Sequence, residues 1–370
     1  METLMLLLIF PAMWPFVAMK IWEKITFKWE EYLIGVISSV GLVLLVWNLG
    51  VYSTIYDTEI WNGYVVSKER IHGSYVESYD CRCRNVRNAD GTTSESCDTC
   101  YRDHYTVTWS AETTVGSVTF GHKDSLSSSV YDSPDPEGYV NCRVGEPASV
   151  EHSYVNYVKA VPDTLFRTYD DKTDLYKAYV PLYPRVFDHY KIRRVINVNA
   201  DVPNSVLDEI NLGLNEELKT LAKQKEVNII VILTSITDPK YRYSVEGQWI
   251  GAKKNDVVVF VGVNDGKIIW ADAMTWALNS GNELFHVKMR DGIKGLSIVD
   301  PSTMVPFIAK TVNEYFDRPH MKDYEYLKNA IKPPFWVIVI AFLFGVLTSV
   351  GLTLFFHQEE IGFLNKRRYL

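Results

Sequence analysis

Four of the five cysteines are the residues whose type and spacing could support a specific chemistry, because they fall in two close pairs. The pairs are Cys81 with Cys83 and Cys97 with Cys100. The run Asn-Ala-Asp-Gly at residues 88–91 lies between them and favours a turn. The flanking segments 75–79 and 101–109 are rich in aromatic and β-branched residues, which favours strands. The sequence therefore predicts a β-hairpin that carries four cysteines near its turn.

Two chemistries fit these cysteines, and a third is disfavoured. In an oxidising compartment two disulfides would join the strands, and nested pairing, inner cysteine with inner and outer with outer, suits an antiparallel register. In a reducing compartment, four thiolates at this spacing could hold a structural zinc ion, as in zinc ribbons. A redox-active Cys97-x-x-Cys100 pair lacks the βαβ setting that such motifs need. Disulfides and zinc both stay open, and Cys142 is expected to be a small buried apolar residue.

Two uncharged apolar stretches, residues 32–55 and 335–356, bracket a polar middle region. Each is long enough, at 1.5 Å per helical residue, to cross a hydrocarbon core of about 30 Å. The sequence therefore predicts a large domain that is held at a lipid bilayer by both ends. The net charge is −7 and there is no long basic run, which argues against nucleic acid as a partner.

Residues 4–19 form a third apolar segment, which is shorter and contains Pro11 and Pro15. It fits a third span, a re-entrant or interfacial segment, or an uncleaved signal-like region. A cleaved signal peptide is disfavoured, because no basic region precedes the segment and no Ala-x-Ala-like site follows it. We expect a short membrane-embedded helix that forms a hairpin with the next span, in a multi-pass protein with two or three spans.

The basic residues predict the orientation. Lys20, Lys24 and Lys28 lie in the short loop between the first two apolar segments, and residues 366–368 form a basic tail. Short basic segments tend to be cytoplasmic, whereas long domains cross the membrane largely regardless of their charge. The middle region is therefore predicted to be extracytoplasmic, which in a bacterial cell is the periplasmic side of the inner membrane.

The middle region changes its pattern near residue 190. Before it, short alternating segments separated by turn-forming residues predict a β-rich subdomain, either a small antiparallel sheet or a barrel. After it, continuous apolar strands alternate with helices, which predicts an α/β sheet covered on both faces. The predicted strands are 195–198, 227–233 and 257–263, and the Asn-Asp-Gly run at 264–266 predicts a hairpin from the last of them into 267–270. The predicted helices are 203–226 with Asn204 as its cap, a polar helix ending at Trp249, and 304–315.

The fold class predicted from these patterns is a membrane-anchored α+β protein. Its parts are a short membrane-embedded helix with a basic loop (1–30), a transmembrane helix (31–56), the β-rich cysteine-containing subdomain (57–190), the α/β domain (191–327), a second transmembrane helix (334–357) and a basic cytoplasmic tail (358–370).

The α/β region resembles a TPM domain. The resemblance rests on Glu-Leu-Lys-Thr-Leu-Ala at 217–222, the strand 227–233, and Trp-Ile-Gly-Ala-Lys-Lys-Asn at 249–255 leading into Val-Val-Val-Phe at 257–260. It covers about 120 residues and implies an extracytoplasmic α/β module that is tethered by a membrane helix. It therefore agrees with the predicted location of the middle region.

Metal binding and phosphatase activity have been suggested for some TPM-domain proteins, so the resemblance implies a candidate cation site. The acidic residues that could line it are Asp256, Asp265 and Asp272, since carboxylates bind hard cations through oxygen. Two departures count against this site. The chain has Asn255-Asp256 where members usually have Asn-Gly, and residues 271–276 replace a Gly-Tyr-Gly-like turn.

The β-rich region resembles membrane proteins that are encoded by tailed bacteriophages. The resemblance rests on Asp-Thr-Glu-Ile-Trp-Asn-Gly at 57–63 and Ser-Tyr-Val-Asn-Tyr-Val at 153–158. It implies an origin, since no activity is established for those proteins.

The sequence favours a non-enzymatic, membrane-tethered extracytoplasmic protein that binds or scaffolds an envelope or viral protein. The sequence shows neither a paired general acid and base nor a phosphate-binding glycine loop that would suggest a reaction. No catalytic residue and no cofactor are therefore predicted. Two alternatives stay open. One is a metal-dependent, phosphatase-like TPM hydrolase, and the other is a cytosolic-facing membrane adaptor with zinc at the four cysteines.

Overall fold

The computed structural model describes residues 2–21, 29–87, 92–161, 175–276 and 282–358. The predicted turn at 88–91, Lys24 and Lys28 of the basic loop, and the tail at 366–368 lie outside these residues. The chain divides into two compact units. The membrane unit lies within Met1–Asp57, Tyr154–Arg167 and His320–Leu370, and the large unit lies within Thr58–Ser153 and Thr168–Pro319.

Long helices lie near both ends of the chain and strands fill much of its middle. The helices are α1 (Glu2–Ile21), α2 (Trp29–Ile55), α3 (Glu137–Asn141), α4 (Tyr157–Ala160), α5 (Asn204–Lys225), α6 (Tyr241–Gln248), α7 (Glu283–Leu296), α8 (Pro301–Tyr315) and α9 (Phe335–Gln358). The strands are β1 (Tyr56–Arg87), β2 (Thr93–Thr113), β3 (Gly116–Ser125), β4 (Pro147–Val155), β5 (Val186–Phe187), β6 (Lys191–Ile192), β7 (Val195–Val198), β8 (Asn228–Thr234), β9 (Asp256–Asn264) and β10 (Lys267–Thr275).

Three helices, α1, α2 and α9, are long and apolar enough to cross a membrane. Their apolar segments are Thr3–Lys20, Glu30–Ile55 and Phe335–Phe356. The two apolar stretches that bracket the chain are thus confirmed as helices of sufficient length. The N-terminal segment is one helix of 20 residues that continues through Pro11 and Pro15. It is longer than the short helix expected from the sequence, and its length fits a third span.

Helices α1, α2 and α9 pack closely against one another. Leu7, Val43 and Ala341, one from each helix, form a buried cluster. A β-carbon added at Gly50 would lie 2.3 Å from a side-chain atom of Val337, so a larger residue has no room there. Small residues that let helices approach closely are typical of packed transmembrane helices.

The membrane unit also contains α4 and a 3-10 segment, Met321–Ala330. Apolar side chains from both join the end of α2 in one cluster, whose members are Val51, Ile55, Tyr157, Ala160, Val161, Leu327 and Ile331. Residues from His320 onward therefore belong to the membrane unit, whereas the pattern of the sequence had placed the end of the α/β domain at 327.

The first half of the large unit is built on a four-stranded sheet in the order β3-β2-β1-β4. β1 pairs antiparallel with β2, and β2 pairs antiparallel with β3, which confirms the predicted antiparallel sheet. Its core holds Val65, Val107, Trp109 and Phe120. Cys142 lies in the same core and is 2% exposed, as expected for a small apolar residue.

The second half contains a four-stranded sheet in the order β10-β9-β8-β7. β7, β8 and β9 are parallel, and β10 returns antiparallel to β9. The turn between β9 and β10 has positive φ at Asp265 (48°) and Gly266 (70°), as an Asp-Gly hairpin turn requires. The predicted strands and this hairpin are confirmed to within about two residues.

Both faces of this sheet are covered, as the continuous apolar strands predicted. Helices α5, α7 and α8 pack on one face, where Ile210, Phe285 and Ile308 are fully buried. The other face is covered by α6 and by the segment around the short 3-10 helix Lys177–Tyr179, which contributes Tyr176 and Tyr183. Part of the layer on this second face is therefore supplied by residues that precede the α/β pattern, which begins near residue 190.

Two local features differ from the sequence predictions. Helix α5 begins at Asn204, and Pro203 occupies the capping position, so the prediction of an Asn204 cap is wrong. The proline ring holds φ near −58° while ψ stays extended, so Pro203 is the last non-helical residue and the capping position lies one residue earlier than expected. Helix α7 was not predicted, because Gly292 interrupts its pattern. A β-carbon at Gly292 would lie 1.9 Å from the ring of Phe307, so packing requires glycine there.

The two sheets lie in the same unit, although the sequence pattern assigned them to separate domains. Buried hydrogen bonds join the start of β1 to the second sheet. The Asn62 amide donates to the carbonyl of Val227 at 3.0 Å, and the Asn255 amide donates to the carbonyl of Ile60 at 2.7 Å. β1 is therefore part of the packing of both sheets.

Candidate functional site: a disulfide-joined β-ribbon

The outer halves of β1 and β2 form a two-stranded ribbon. The two strands pair as far as Arg87 opposite Thr93, whereas β3 pairs with β2 only from Thr113 to Tyr105. Residues 75–87 and 93–104, here called the β-ribbon, therefore have each other as their only paired strands in the described part of the chain. At about 3.4 Å per residue the ribbon is roughly 40 Å long.

Two disulfides join the strands of the β-ribbon. Cys81 is bonded to Cys100 and Cys83 to Cys97, with Cα–Cα distances of 5.8 and 4.0 Å. The nested disulfide pairing expected from the sequence is the one present in the structure. Bonded sulfurs offer no thiolate, so the zinc alternative would require reduction of both bonds. Cys83 and Cys97 with Glu95 are the one group with metal-ligand spacing among the residues described.

A β-bulge reconciles the unequal spacing of the two cysteine pairs. Cys97 and Cys100 are three residues apart, so on a regular strand they point to opposite faces, whereas the two-residue spacing on β1 would keep both cysteines on one face. The register shifts between Cys81 and Arg84, and Arg82 there has a φ of 50°. This extra residue turns Cys83 towards Cys97. The disulfides therefore lie on opposite faces of the ribbon.

A polar cluster fixes the base of the β-ribbon. The His104 ring nitrogens lie 2.7 Å from Asp124 and 2.9 Å from Glu77, and the Tyr75 hydroxyl donates to Asp124 at 2.7 Å. The Tyr75 and His104 rings stack with centroids 4.7 Å apart. The hydrogen bonds that His104 makes to Asp124, and to a smaller extent to Glu77, raise the pKa of His104 and favour its cationic form between the two carboxylates.

The opposite face of the β-ribbon carries exposed apolar side chains. Val76 is 61% exposed and Tyr101 is 72% exposed. The register places Val76 opposite Asp103 and Ser78 opposite Tyr101, so Val76 and Tyr101 are diagonal neighbours on one face. The ribbon extends beyond the four-stranded sheet, so these two side chains lie outside the hydrophobic core of that sheet. The ribbon thus offers a stiff surface with exposed apolar groups and free backbone edges, which is suited to binding.

A second notable feature of the large unit is the buried side chain of Arg194. It donates to Asn215 Oδ1 at 2.8 Å, to Ser149 Oγ at 2.9 Å and to the Oδ1 atoms of Asn62 and Asn228. All of these partners are neutral. Burial lowers the pKa of Arg194 to about 9. No sequence signal marked this residue, because an arginine just before an apolar strand is ordinarily at the surface.

The three aspartates of the candidate cation site are not brought together. Asp256 opens β9, while Asp265 lies in the turn beyond its other end, so roughly 30 Å of strand separates them. Asp272 lies on β10 and pairs with Arg242 at 3.4 Å. These carboxylates therefore cannot share one cation, and the cation site implied by the resemblance does not form from them.

Asp256 has a structural role in the buried network. Its carboxylate accepts hydrogen bonds from Asn228 Nδ2 at 2.8 Å, the Tyr183 hydroxyl at 2.9 Å and the backbone N–H of Lys253 at 2.7 Å. Burial raises the pKa of Asp256 to about 6, against the lowering effect of these hydrogen bonds. The Asn228 amide thus links Asp256 to Arg194, because its Nδ2 donates to Asp256 and its Oδ1 accepts from Arg194.

The pKa of Asp256 predicts a pH dependence of stability. Because the pKa is near 4 in the unfolded chain and about 6 in the folded chain, the folded state binds this proton more tightly. The stabilisation is present below pH 4 and is lost as the pH rises through 6. We expect the wild type to lose about 1–3 kcal/mol relative to Asp256→Asn between pH 4 and pH 7.

The measurement is urea unfolding of the full chain in nanodiscs at both pH values. The amide of Asp256→Asn is a weaker hydrogen-bond acceptor and can lower stability, but equally at both pH values. This loss cancels because the prediction concerns only the change in unfolding free energy between the two pH values. Parallel curves for the two proteins would show that Asp256 does not titrate in this range.

Comparison of the chain with protein-family models, with curated proteins and with solved structures gave no match. The resemblances to TPM domains and to bacteriophage membrane proteins therefore stay predictions from the residues that carry them.

Proposed function

We propose that this chain is a non-enzymatic, membrane-tethered binding protein whose large unit faces an extracytoplasmic compartment. Its β-ribbon binds another protein of the cell envelope, or a viral protein if the chain is phage-encoded. The observation that carries this proposal is the β-ribbon itself, a surface element joined by two disulfides with Val76 and Tyr101 exposed on one face.

The energetics of the β-ribbon support a binding role. A two-stranded ribbon buries little apolar surface and is marginally stable by itself. Either disulfide alone closes a loop of 14 or 19 residues, which by chain entropy stabilises the ribbon by about 3 kcal/mol. The two loops are nested, so the second bond adds less than the first. A stiff surface element loses less conformational entropy on association than a flexible loop does. The disulfides therefore prepare the ribbon for contact with a partner.

The disulfides also support the extracytoplasmic side. Such bonds persist in oxidising compartments and are rare where glutathione and thioredoxin keep thiols reduced. The basic segments of the sequence favour the same orientation, since Lys20, Lys24, Lys28 and residues 366–368 would face the cytoplasm.

Thiol labelling of sealed cells tests the orientation. Cys142 is buried, so the four ribbon cysteines are the accessible ones once reduced. We expect a membrane-impermeant maleimide to label none of them at first and to label all four after an impermeant phosphine reductant is added. Labelling that requires cell lysis would place the large unit in the cytoplasm. Labelling released by a chelator without a reductant would favour zinc.

Site-specific photocrosslinking tests the binding surface. We expect a photoreactive residue at Tyr101 to give one adduct of defined mass in the membrane of the cell that makes the protein. Leu212 on α5, which is 65% exposed, is the matched control position and is expected to give no such adduct. Both variants keep the disulfides, so the comparison isolates the surface that is probed.

A second change links the adduct to the ribbon face. Val76→Asp places a carboxylate beside Tyr101 and near Asp103, which should weaken apolar contact and reduce the adduct at least several-fold. Equal adducts from positions 101 and 212, or an adduct that is unaffected by Val76→Asp, would overturn the proposed binding role.

A further inference from the structure

A cavity of about 420 Å³ lies in the large unit, away from the β-ribbon, between the start of β1 and helix α5. Trp61 and Tyr64 line one side of it, Lys219 and Lys223 line the other, and Val115 lies in the wall. Its volume is in the range of small-molecule sites, which combine apolar walls with a few polar groups.

The aromatic side of the cavity is held in place. The Trp61 ring stacks on His152 with centroids 4.4 Å apart, and its Nε1 donates to Glu59 at 2.8 Å. These two contacts fix the position and the tilt of the ring. Tyr64 lies on β1 between the buried residues Gly63 and Val65 and is itself 39% exposed. A flat apolar group can therefore enter the cavity without ordering a mobile wall first.

The helical side of the cavity carries positive charge. Lys219, Lys223 and Glu226 are spaced by four and three residues, so they lie on one face of α5 and its C-terminal end. Glu226 is paired with Arg318, and Lys219 donates to Glu216 at 2.8 Å. Lys223 forms no ion pair or side-chain hydrogen bond within the described residues, so its charge is available to a ligand.

We propose that this cavity binds a small organic anion that carries a flat apolar group. Lys223 pairs with the anionic group, while Trp61 and Tyr64 contact the flat group. Carboxylates, sulfonates and phosphate esters of aromatic molecules share this chemistry. This ligand site is separate from the β-ribbon, and the two can succeed or fail independently.

The test uses the full chain in nanodiscs with 2-naphthoate as the probe, measured by calorimetry or by saturation-transfer NMR. A ligand of this size gains about 0.3 kcal/mol per heavy atom in an ordinary site, which gives a Kd on the order of 1 mM. We expect saturable binding in that range. The neutral amide of the same ring should bind at least about fivefold more weakly, since it cannot pair with Lys223.

Two variants assign the binding to the cavity. Lys223→Gln is expected to weaken naphthoate binding about five- to tenfold, and it leaves the fold intact because Lys223 is exposed and has no protein partner to lose. Lys294→Gln on α7, also an exposed lysine, is the matched control and should bind as the wild type does. Val115→Phe fills part of the space and should also reduce binding.

The proposal is overturned by equal binding of the acid and the amide, by equal affinity of Lys223→Gln and Lys294→Gln, or by no saturation up to roughly 10 mM. In each variant, failure of Cys142 to react with a thiol reagent shows that the large unit is folded. A loss of binding is then assigned to the cavity.

Discussion

Replacing Arg194 with methionine is expected to lower the free energy of unfolding of the large unit by about 2–4 kcal/mol. The reason lies in the acceptors that the guanidinium leaves behind. Asn62, Ser149, Asn215 and Asn228 each lose a hydrogen bond from a charged donor, a kind of bond that contributes about 1.5–3 kcal/mol. Asn62 and Asn228 keep only neutral donors, the Ser149 hydroxyl at 2.9 Å and the Asn62 amide at 3.3 Å.

The three amide groups cannot turn to replace the lost hydrogen bonds. The amide nitrogen of Asn62 is bonded to the carbonyl of Val227, that of Asn228 to Asp256, and that of Asn215 to the carbonyl of Asn211. A flip of any amide would therefore break a second hydrogen bond. For this reason the loss of the guanidinium hydrogen bonds outweighs the gain from no longer burying a charge among neutral partners.

The measurement is urea unfolding of the full chain in nanodiscs, followed by the reactivity of the Cys142 thiol. Burial makes this thiol a reporter of the large unit, and burial also raises its pKa, which slows reaction in the folded state. Arg193→Met is the control. Arg193 is adjacent and half exposed, and its pair with Asp208 is a surface pair, worth at most about 1 kcal/mol. Equal losses from the two substitutions would contradict the role assigned to Arg194.

The second large effect is expected at Gly262 on β9. A β-carbon built there would lie 2.0 Å from Trp270 Nε1 and 2.3 Å from another atom of the indole ring. Trp270 is 5% exposed, and its Nε1 donates to the carbonyl of Ile236 at 2.8 Å, so the ring has little freedom to move. We expect Gly262→Ala to destabilise the large unit by about 2–4 kcal/mol through overpacking and loss of this hydrogen bond.

Gly295→Ala is the matched control, since the same glycine-to-alanine change is expected there to raise stability instead of lowering it. Gly295 lies within α7, and a β-carbon there meets nothing within 4 Å. Alanine favours helix over glycine, so this variant is expected to gain about 0.5–1 kcal/mol. Both variants are compared by the same urea and thiol measurement. Similar effects of the two alanines would mean that the close contact at Gly262 relaxes without cost.

Much of the local structure followed from the sequence because it depends on short-range pattern. Uncharged apolar runs predicted two of the helices that could cross a membrane, and continuous apolar segments predicted the strands of the second sheet. The Asn264-Asp265-Gly266 run predicted its hairpin, since a turn with positive φ is determined by a few adjacent residues. The cysteine spacing with its flanking strands likewise predicted the hairpin and offered nested disulfides as one of its chemistries.

Other features depend on contacts between distant residues, and the sequence did not reveal them. Arg194 receives its partners from β1, β4, α5 and β8, and no local pattern marks a set of that kind. Helix α7 escaped prediction because Gly292, which weakens the helical pattern, is required by the ring of Phe307 on α8.

The sequence by itself determined that the chain carries apolar segments able to cross a membrane, and that four cysteines lie at the end of a hairpin, because both depend on residue type and spacing alone. The tertiary structure decided which polar residues meet. It separated Asp256 from Asp265 by the length of β9 and left the outer hairpin outside both cores, since sheet order and register set these distances. Of the two candidate sites that the sequence offered, it separated the aspartates and left the β-ribbon with its four cysteines.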